Sequence, residues 1–133
     1  MNWTILLLAA ALLALLTVLR RADLISARAA REYLEKGALV VDVRTPGEYA
    51  AGHLPTAIHL PLDRIETTLP KRVPDKNTVL LLHCQSGVRS GVAKRKLRAK
   101  GYANAFNLGS LARAGRIVAA KNRGDSGSTV VEP

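Results

Sequence analysis

The single cysteine of the chain lies in a segment whose residue types suit thiol chemistry. Cys84 opens the sequence CQSGVRS, which follows the apolar run TVLLLH and precedes a stretch with helical character. Open α/β sheets bind ligands between the carboxyl end of a strand and the start of a helix, because helix N–H groups point outward there. A structural cysteine is usually found inside an apolar run, whereas Cys84 follows it beside Gln85, Ser86 and Gly87. The position therefore indicates a reactive thiol.

A loop wrapped around the Cys84 sulfur would stabilise its thiolate form. Several backbone N–H groups would point at the sulfur, and the following helix would add the positive end of its dipole, so we expect a low thiol pKa. Gly87 permits such a tight backbone path, although an ordinary turn would also use a glycine. Arg89 either binds an anionic substrate or faces solvent, and its mildly unfavourable place at a helix start favours a role in binding.

Three charged residues upstream of Cys84 are predicted to support this loop. Asp42, at the end of a strand, is placed to accept hydrogen bonds from loop N–H groups. Arg44 and Glu48 have the spacing to pair across a helix start. For all three residues a scaffold role is favoured over direct contact with a substrate.

The histidines indicate neither a metal site nor a histidine base. His53, His59 and His83 show no paired ligand spacing with Cys84, which argues against a bound metal. His83 adjoins Cys84, but strand alternation turns neighbouring side chains to opposite faces, so a Cys–His dyad is not expected. The sequence therefore predicts thiol chemistry that uses no metal and no other cofactor.

Composition limits the class of protein and of partner. A chain of 133 residues with 48% hydrophobic and 23% charged residues is typical of one globular domain, and it excludes collagen-like, low-complexity and wholly disordered classes. One cysteine excludes an intrachain disulfide framework. The net charge of +10 predicts an anionic partner. Because the chain has only one Trp, three Tyr and one Phe, a nucleic-acid site built on base stacking is not expected.

A basic run, KRKLRAK at 94–100, falls on the helix expected after the Cys84 loop. Lys94, Arg95 and Arg98 share one face of that helix, while Ala93 and Leu97 point together toward the sheet. This basic face is either simply solvated, or it steers an anion or an acidic protein, or it rests on anionic lipid.

The first 19 residues carry no charged side chain, which marks a membrane or targeting segment. As a helix they would be about 28 Å long at ~1.5 Å per residue, just enough to cross a bilayer core. A cleaved signal peptide is the alternative, with Ala27-Arg28-Ala29 as a possible cleavage site. No charge precedes the apolar run, however, and the triplet lies well beyond it. We therefore expect an uncleaved anchor at 1–21 that contacts the membrane through residues 3–19.

Basic residues follow this segment and none precedes it, which predicts that the domain after it faces the cytoplasm. A periplasmic domain, released by signal cleavage, is the alternative. A lone thiol fits the reducing compartment. The basic residues nearest the segment are Arg20, Arg21, Arg28, Arg31 and Lys36.

The sequence after the apolar segment alternates helical and strand patterns over one domain, 22–120, followed by a Gly/Ser-rich tail at 121–133 that is expected to be flexible. A polar loop is expected over 70–77, with Pro70 and Pro74 as the residues that interrupt helical structure. Strands separated by helices of this length predict a parallel sheet covered on both faces. Strands are predicted at 38–43, 57–60, 78–83 and 103–107, and helices at 26–36, 45–51, 63–69, 87–100 and 110–120.

Three segments of the chain resemble single-domain rhodanese sulfurtransferases. They are DVRTPGEYAAGHLPTAIHLPL (42–62), HCQSGVRS (83–90) and GYANAFNLGS (101–110), and they occur in the family's order and at its usual separations. The resemblance covers about residues 26–120 and is specific, because three separated motifs agree. The chain departs from the pattern after Gly109, where many relatives carry a tryptophan.

The resemblance implies an α/β fold with an open parallel sheet of five strands and helices on both faces, here preceded by one transmembrane helix. It also implies that Cys84 is the catalytic nucleophile. Cys84 would take sulfane sulfur from thiosulfate or a similar donor, become a persulfide, and pass the sulfur to cyanide, a small thiol or a protein acceptor. The substrate-binding loop implied by the resemblance consists of Gln85, Ser86, Gly87, Val88 and Arg89.

Loop length separates this interpretation from cysteine-dependent phosphatases and arsenate reductases of related fold. Those enzymes place their arginine one position further from the nucleophilic cysteine than Arg89 lies from Cys84, which makes a wider cradle for a tetrahedral oxyanion. The shorter loop suits a sulfur atom on Cys84 better. A membrane-tethered sulfur carrier or interaction module with slow turnover is the non-enzymatic alternative.

Overall fold

The computed structural model of this chain describes residues 2–125, and a parallel β-sheet lies at its centre. The strands are β1 (Leu39–Asp42), β2 (Ile58–His59), β3 (Leu80–Cys84) and β4 (Ala105–Ser110). Across the sheet they follow the order β2-β1-β3-β4. Every pairing is parallel, so the carboxyl ends of the strands meet at one edge. Cys84, the last residue of β3, lies at that edge.

Helices cover both faces of this sheet, as predicted. One face carries α4 and α5, whose Ile65, Leu69 and Leu97 are fully buried against it. The other face carries α2 and α6, which contribute Ala30 and Ile117 to a second core. The helices are α1 (Trp3–Ala22), α2 (Ala27–Glu35), α3 (Pro46–Ala51), α4 (Ile65–Arg72), α5 (Val88–Ala99) and α6 (Leu111–Asp125), with a 3-10 turn at Leu62–Arg64.

The sheet of the described residues has four strands, so the five implied by the resemblance are not confirmed. Beside β4, at the place where another strand would lie, Leu24 makes a single parallel bridge with Asn107. The chain has little room for more, because Asp23 still caps the end of α1 and Ser26 already caps the start of α2. Two residues between helix caps can pair once but cannot form a ladder.

Two predicted helix boundaries are wrong. Pro70 lies inside α4, which continues to Arg72, because burial of Ile65 and Leu69 against the sheet outweighs one missing backbone hydrogen bond. The final helix, α6, runs to Asp125 and includes the first residues of the predicted tail, 121–125. The rest of the tail, 126–133, lies outside the described residues.

The amino-terminal helix α1 packs against nothing along most of its length. None of its residues is buried, and its large apolar side chains are 45–75% exposed. Among the described residues it is the one helix long and apolar enough for a bilayer, a property that signal sequences share. The structure therefore agrees with a membrane span or a signal sequence at this place.

A buried ion pair fixes the end of β1. Both oxygens of Asp42 accept hydrogen bonds from the Arg44 guanidinium, at 2.7–3.0 Å, and the Arg44 backbone N–H adds a bond at 3.0 Å. Arg44 also donates to the Gly52 carbonyl at 2.8 Å. Burial raises the pKa of Asp42, but the bonds from Arg44 outweigh it and the net pKa is lowered. Asp42 thus holds the backbone after β1, whereas the predicted partnership of Arg44 with Glu48 is wrong.

Replacing Arg44 by Met should test how much this pair stabilises the fold. The variant leaves the Asp42 carboxylate buried without its cation, so we expect the free energy of unfolding to fall by about 3–5 kcal/mol. Arg28→Met is the matched control, since Arg28 pairs with Glu32 at 3.1 Å on an exposed surface, and it should cost less than about 1 kcal/mol. Chemical denaturation of the full chain in detergent measures both. Equal losses in the two variants would show that the buried pair stabilises the fold no more than the exposed pair does.

Candidate active site

The Cys84 side chain is completely buried at the carboxyl end of β3, beneath the turn that leads into α5. The sequence placed it one residue after the strand, and the structure makes it the last strand residue. The Gly87 N–H donates to its sulfur at 3.0 Å, and the Ser90 hydroxyl lies 3.5 Å from it. The turn therefore surrounds the sulfur with donors, as the sequence predicted.

These donors decide the ionisation of the thiol. Burial raises the pKa of Cys84, but hydrogen bonds from the Ser90 hydroxyl, whose single hydrogen is shared between the sulfur and Asn107 Oδ1, and from the backbone N–H groups of the turn outweigh it, so the net pKa is lowered. Each of these bonds is stronger to a thiolate than to a thiol, because the acceptor then carries a full charge. The direction agrees with the sequence prediction, and it needs no neighbouring base.

Gly87 is required by both conformation and space. Its φ of 93° lies in the left-handed region, where side chains are strained. A Cβ on Gly87 would also lie 3.3 Å from the Cα of Gly109, whose own φ is 98°. The pairing of β3 with β4 shifts register just before this point, which brings Gly109 opposite His83. Two glycines packed back to back thus give the Cys84 turn its shape.

Asn107, which the sequence analysis did not single out, connects the turn to the rest of the sheet. Its Nδ2 donates to the Gly87 carbonyl at 2.9 Å and to an Asp23 carboxylate oxygen at 3.0 Å. Its Oδ1 accepts from the Ser90 hydroxyl at 2.7 Å and from the Gly109 N–H at 3.0 Å. A buried asparagine within the strand sequence AFNLGS was the available signal, since a buried amide needs partners.

Asp23, at the end of α1, was also missed by the sequence analysis. Besides Asn107, its carboxylate binds the Lys94 ammonium of α5. Burial raises the pKa of Asp23, but the bonds from Lys94 and Asn107 outweigh it and the net pKa is lowered. Gly91 makes room for this contact, because a Cβ there would lie 2.5 Å from the carboxylate. The end of α1 is therefore attached directly behind the Cys84 turn.

Arg89 is held beside the site by Glu48. Two hydrogen bonds of 2.6 and 2.8 Å join the guanidinium to the carboxylate. Pairing with Arg89 holds the pKa of Glu48 at about 2. Glu48 is in turn fixed by Thr45, with which it forms a capping box at the start of α3. The predicted partner of Glu48 was Arg44, whereas in the structure its partner is Arg89.

The remaining residues of the turn are peripheral to the sulfur. Gln85 and Ser86 are exposed, with Gln85 accepting a 3.4 Å bond from Arg44 and Ser86 making a bridge to Ser110. Val88 begins α5 and is 52% exposed. Of the predicted loop residues, Gly87 therefore acts on the sulfur through its backbone N–H, and Arg89 acts through its charge. The other three side chains face outward.

The three histidines lie within the scaffold around the site. His83 is fully buried with its Nε2 3.7 Å from the Asp42 carboxylate, and burial lowers its pKa. His53 and His59 both stack on the ring of Tyr49, with ring centroids 3.7 and 4.3 Å apart. The low pKa of Cys84 therefore has its cause in the turn.

Comparison with known proteins gives a consistent result. The sequence profile of the rhodanese-like domain matches residues 26–112. The thiosulfate sulfurtransferase PspE of Escherichia coli is 38% identical over 71 residues, which cover 53% of this chain and 68% of that protein. The thiosulfate:glutathione sulfurtransferase of Saccharomyces cerevisiae is 35% identical, covering 50% of this chain and 55% of that protein. The structure of the human single-domain sulfurtransferase TSTD1 superimposes with a TM-score of 0.61 at 28% identity, over 71% of this chain and 96% of that one.

Gly87→Val should raise the pKa of Cys84 although it removes no charge. The β-branched side chain resists the φ of 93° and meets Gly109, so the N–H that donates to the sulfur moves away. We expect the pH profile of alkylation by iodoacetamide, a neutral reagent, to move about 1–2 pH units higher.

Gly37→Val is the control for this experiment. Gly37 has a similar φ of 90° but open space around it, at the end of α2. It imposes the same backbone strain away from the sulfur, so its alkylation profile should match that of the parent. Coincident profiles for the two variants would show that the backbone donors do not control the thiolate.

Proposed function

Because the chain belongs to the rhodanese-like domain family, we propose that it is a sulfurtransferase that carries sulfane sulfur on Cys84. The observation that supports this most directly is the buried Cys84 sulfur with a lowered pKa and N–H donors around it. Such a turn stabilises negative charge on a sulfur atom, which is the charge that a thiolate and a persulfide both carry. The names of the bacterial and yeast relatives support thiosulfate as donor and a thiol as acceptor.

The first half-reaction is a displacement at sulfur. The Cys84 thiolate attacks the outer sulfur of thiosulfate, a new S–S bond forms, and the old S–S bond breaks with its electron pair leaving on sulfite. The product is a Cys84 persulfide anion, so the total charge is unchanged. Thiolate and thiosulfate repel each other, and the Arg89 guanidinium is placed to offset this repulsion at the donor's anionic end.

The second half-reaction restores the thiolate. A small thiol, a protein thiol or cyanide attacks the outer sulfur of the persulfide, and the S–S bond breaks with its electron pair returning to Cys84. The products are an acceptor persulfide or thiocyanate. The same N–H groups that stabilise the thiolate stabilise the outgoing sulfur in this step, which supports one turn serving both halves.

We propose the same organisation of the chain that the sequence predicts. Residues 1–21 are a membrane anchor, 22–120 are the sulfurtransferase domain, and 121–133 are a tail whose first residues complete α6. The exposed apolar surface of α1 supports the anchor. The basic residues after it support a cytoplasmic domain.

Sulfur transfer by the full chain tests the proposed activity. Incubation with thiosulfate should add one sulfur, about 32 Da, to Cys84, and addition of cyanide should remove it as thiocyanate. Cys84→Ser should lose both signals, as intact-mass spectrometry and a thiocyanate assay will show. A phosphate ester assayed in parallel separates this activity from that of a phosphatase. Turnover of the ester without a persulfide, or full activity of Cys84→Ser, would refute the proposal.

The fate of the amino terminus tests the proposed anchor. In a bacterial host the chain in the membrane fraction should retain residues 3–19, and its domain should be protected from protease in spheroplasts. Amino-terminal sequencing measures the first point and immunoblotting of the digest measures the second. A mature start near Ala30 would show signal cleavage, and digestion of the domain would place it outside the cytoplasm.

A further inference from the structure

The end of α1 and the Cys84 turn enclose a cleft of about 500 Å³. Leu16 and Leu19 of α1 form one wall, and Ser86 and Val88 of the turn form the opposite one. The contact of Asp23 with Lys94 and Asn107 closes the back and holds the two walls in place. The cleft is therefore a fixed feature of the junction between α1 and the domain.

The apolar side of this cleft continues the surface of α1. Among residues 2–125, Val88 is the only large hydrophobic residue outside α1 that is exposed. It faces the same space as Leu16 and Leu19. An exposed valine beside a bare apolar helix indicates that one apolar environment covers both.

The polar side of the cleft is cationic. Arg20, Arg21 and Arg95 line it, with Asp23 as the single carboxylate. Asp23 already binds Lys94, so its charge does not cancel the three guanidiniums. Within the described residues no hydrogen bond or ion pair engages the guanidinium group of Arg20 or of Arg21. The cleft thus has apolar side chains along one side and guanidinium groups along the other.

The depth at which the cleft residues would lie in a membrane indicates which kind of molecule fits the cleft. If α1 spans the bilayer as proposed above, Leu16 and Leu19 lie at the edge of the hydrocarbon core. Arg20 is the next residue, and because a helix rises about 1.5 Å per residue, it lies at the start of the headgroup layer. A molecule with an acyl part against the leucines and a phosphate against the arginines fits both walls.

We propose that this cleft binds the headgroup of an anionic phospholipid, so that the Cys84 turn rests on the membrane surface. This inference depends on the anchor of the proposed function, and it adds a lipid site beside the active centre. Arg89, the side chain proposed to meet the sulfur donor, does not line this cleft but a separate one, beside Val43 and Arg44.

Lipid retention by the full chain tests the proposal. The chain is placed in nanodiscs of equal phosphatidylglycerol and phosphatidylcholine, and the lipids that stay bound after release are counted by native mass spectrometry. The parent should retain phosphatidylglycerol in preference. The double variant Arg20→Gln, Arg95→Gln should lose this preference, by about five-fold for each arginine removed. Arg20→Lys, which keeps the charge on an exposed side chain, should retain most of it.

The control removes two charges elsewhere. Arg64 and Arg72 are exposed beside and within α4 and do not line the cleft, and the double variant Arg64→Gln, Arg72→Gln should behave as the parent. Equal loss in both double variants would show a general charge effect and overturn the site. Unchanged retention in the Arg20, Arg95 variant would also overturn it.

Two further measurements identify the source of any failure. Inorganic phosphate should not displace phosphatidylglycerol, and displacement would show a site for free anions instead of lipid. The persulfide on Cys84 is measured in the same nanodiscs. A chain that forms the persulfide and retains residues 3–19 but has no lipid preference overturns the lipid site alone. A chain that has lost residues 3–19 overturns the anchor and the site together.

Discussion

The side chain of Asn107 is the contact on which the candidate site depends. A carboxamide has two N–H donors and two lone pairs on its oxygen, and here all four are used. The pattern also determines the orientation of the amide, because Nδ2 meets two acceptors and Oδ1 meets two donors. Through these bonds one buried group positions the Gly87 carbonyl, the Ser90 hydroxyl and the Gly109 N–H together. A residue that lacked either half of the amide would leave buried polar groups unsatisfied on several elements.

Charged side chains around the Cys84 turn are paired with one another. Arg44 is matched by Asp42, and Lys94 by Asp23. Arg89 keeps Glu48 ionised to about pH 2, so this pair persists at any working pH. Asp42 and His83 both have lowered pKa values in the fold, which means that the folded chain binds fewer protons than the unfolded chain as the pH falls. Stability should therefore decline on acidification, first as unfolded His83 protonates and then as unfolded Asp42 does.

The features predicted correctly from the sequence are those that depend on residues close together along the chain. The turn after Cys84, the tight backbone path at Gly87, and the helix starts near Ser26 and Thr45 all follow from residues within a few positions of each other. Contacts between distant segments were missed or misassigned. Asp23 and Asn107 are 84 positions apart, and nothing in either segment indicates the other. Glu48 had the sequence spacing to pair with Arg44, and the fold instead brings it to Arg89, 41 positions away. Pro70 was read as a helix breaker because burial of its neighbours was not visible.

The junction between α1 and the domain determines how the proposed anchor would act on the site. A flexible tether would let the domain explore a large volume and would leave Cys84 at a variable distance from the bilayer. Here the connection is short and bound. The Ile25 N–H donates to the Asn107 carbonyl, the Ile25 carbonyl accepts from the Arg113 guanidinium, and Leu24 makes a bridge to β4. The direction of α1 is thereby transmitted to the strand that also shapes the Cys84 turn. If α1 is the membrane anchor proposed above, a helix fixed in this way would orient the Cys84 thiol relative to the membrane, and an acceptor approaching along the lipid surface would meet the turn in one constant geometry.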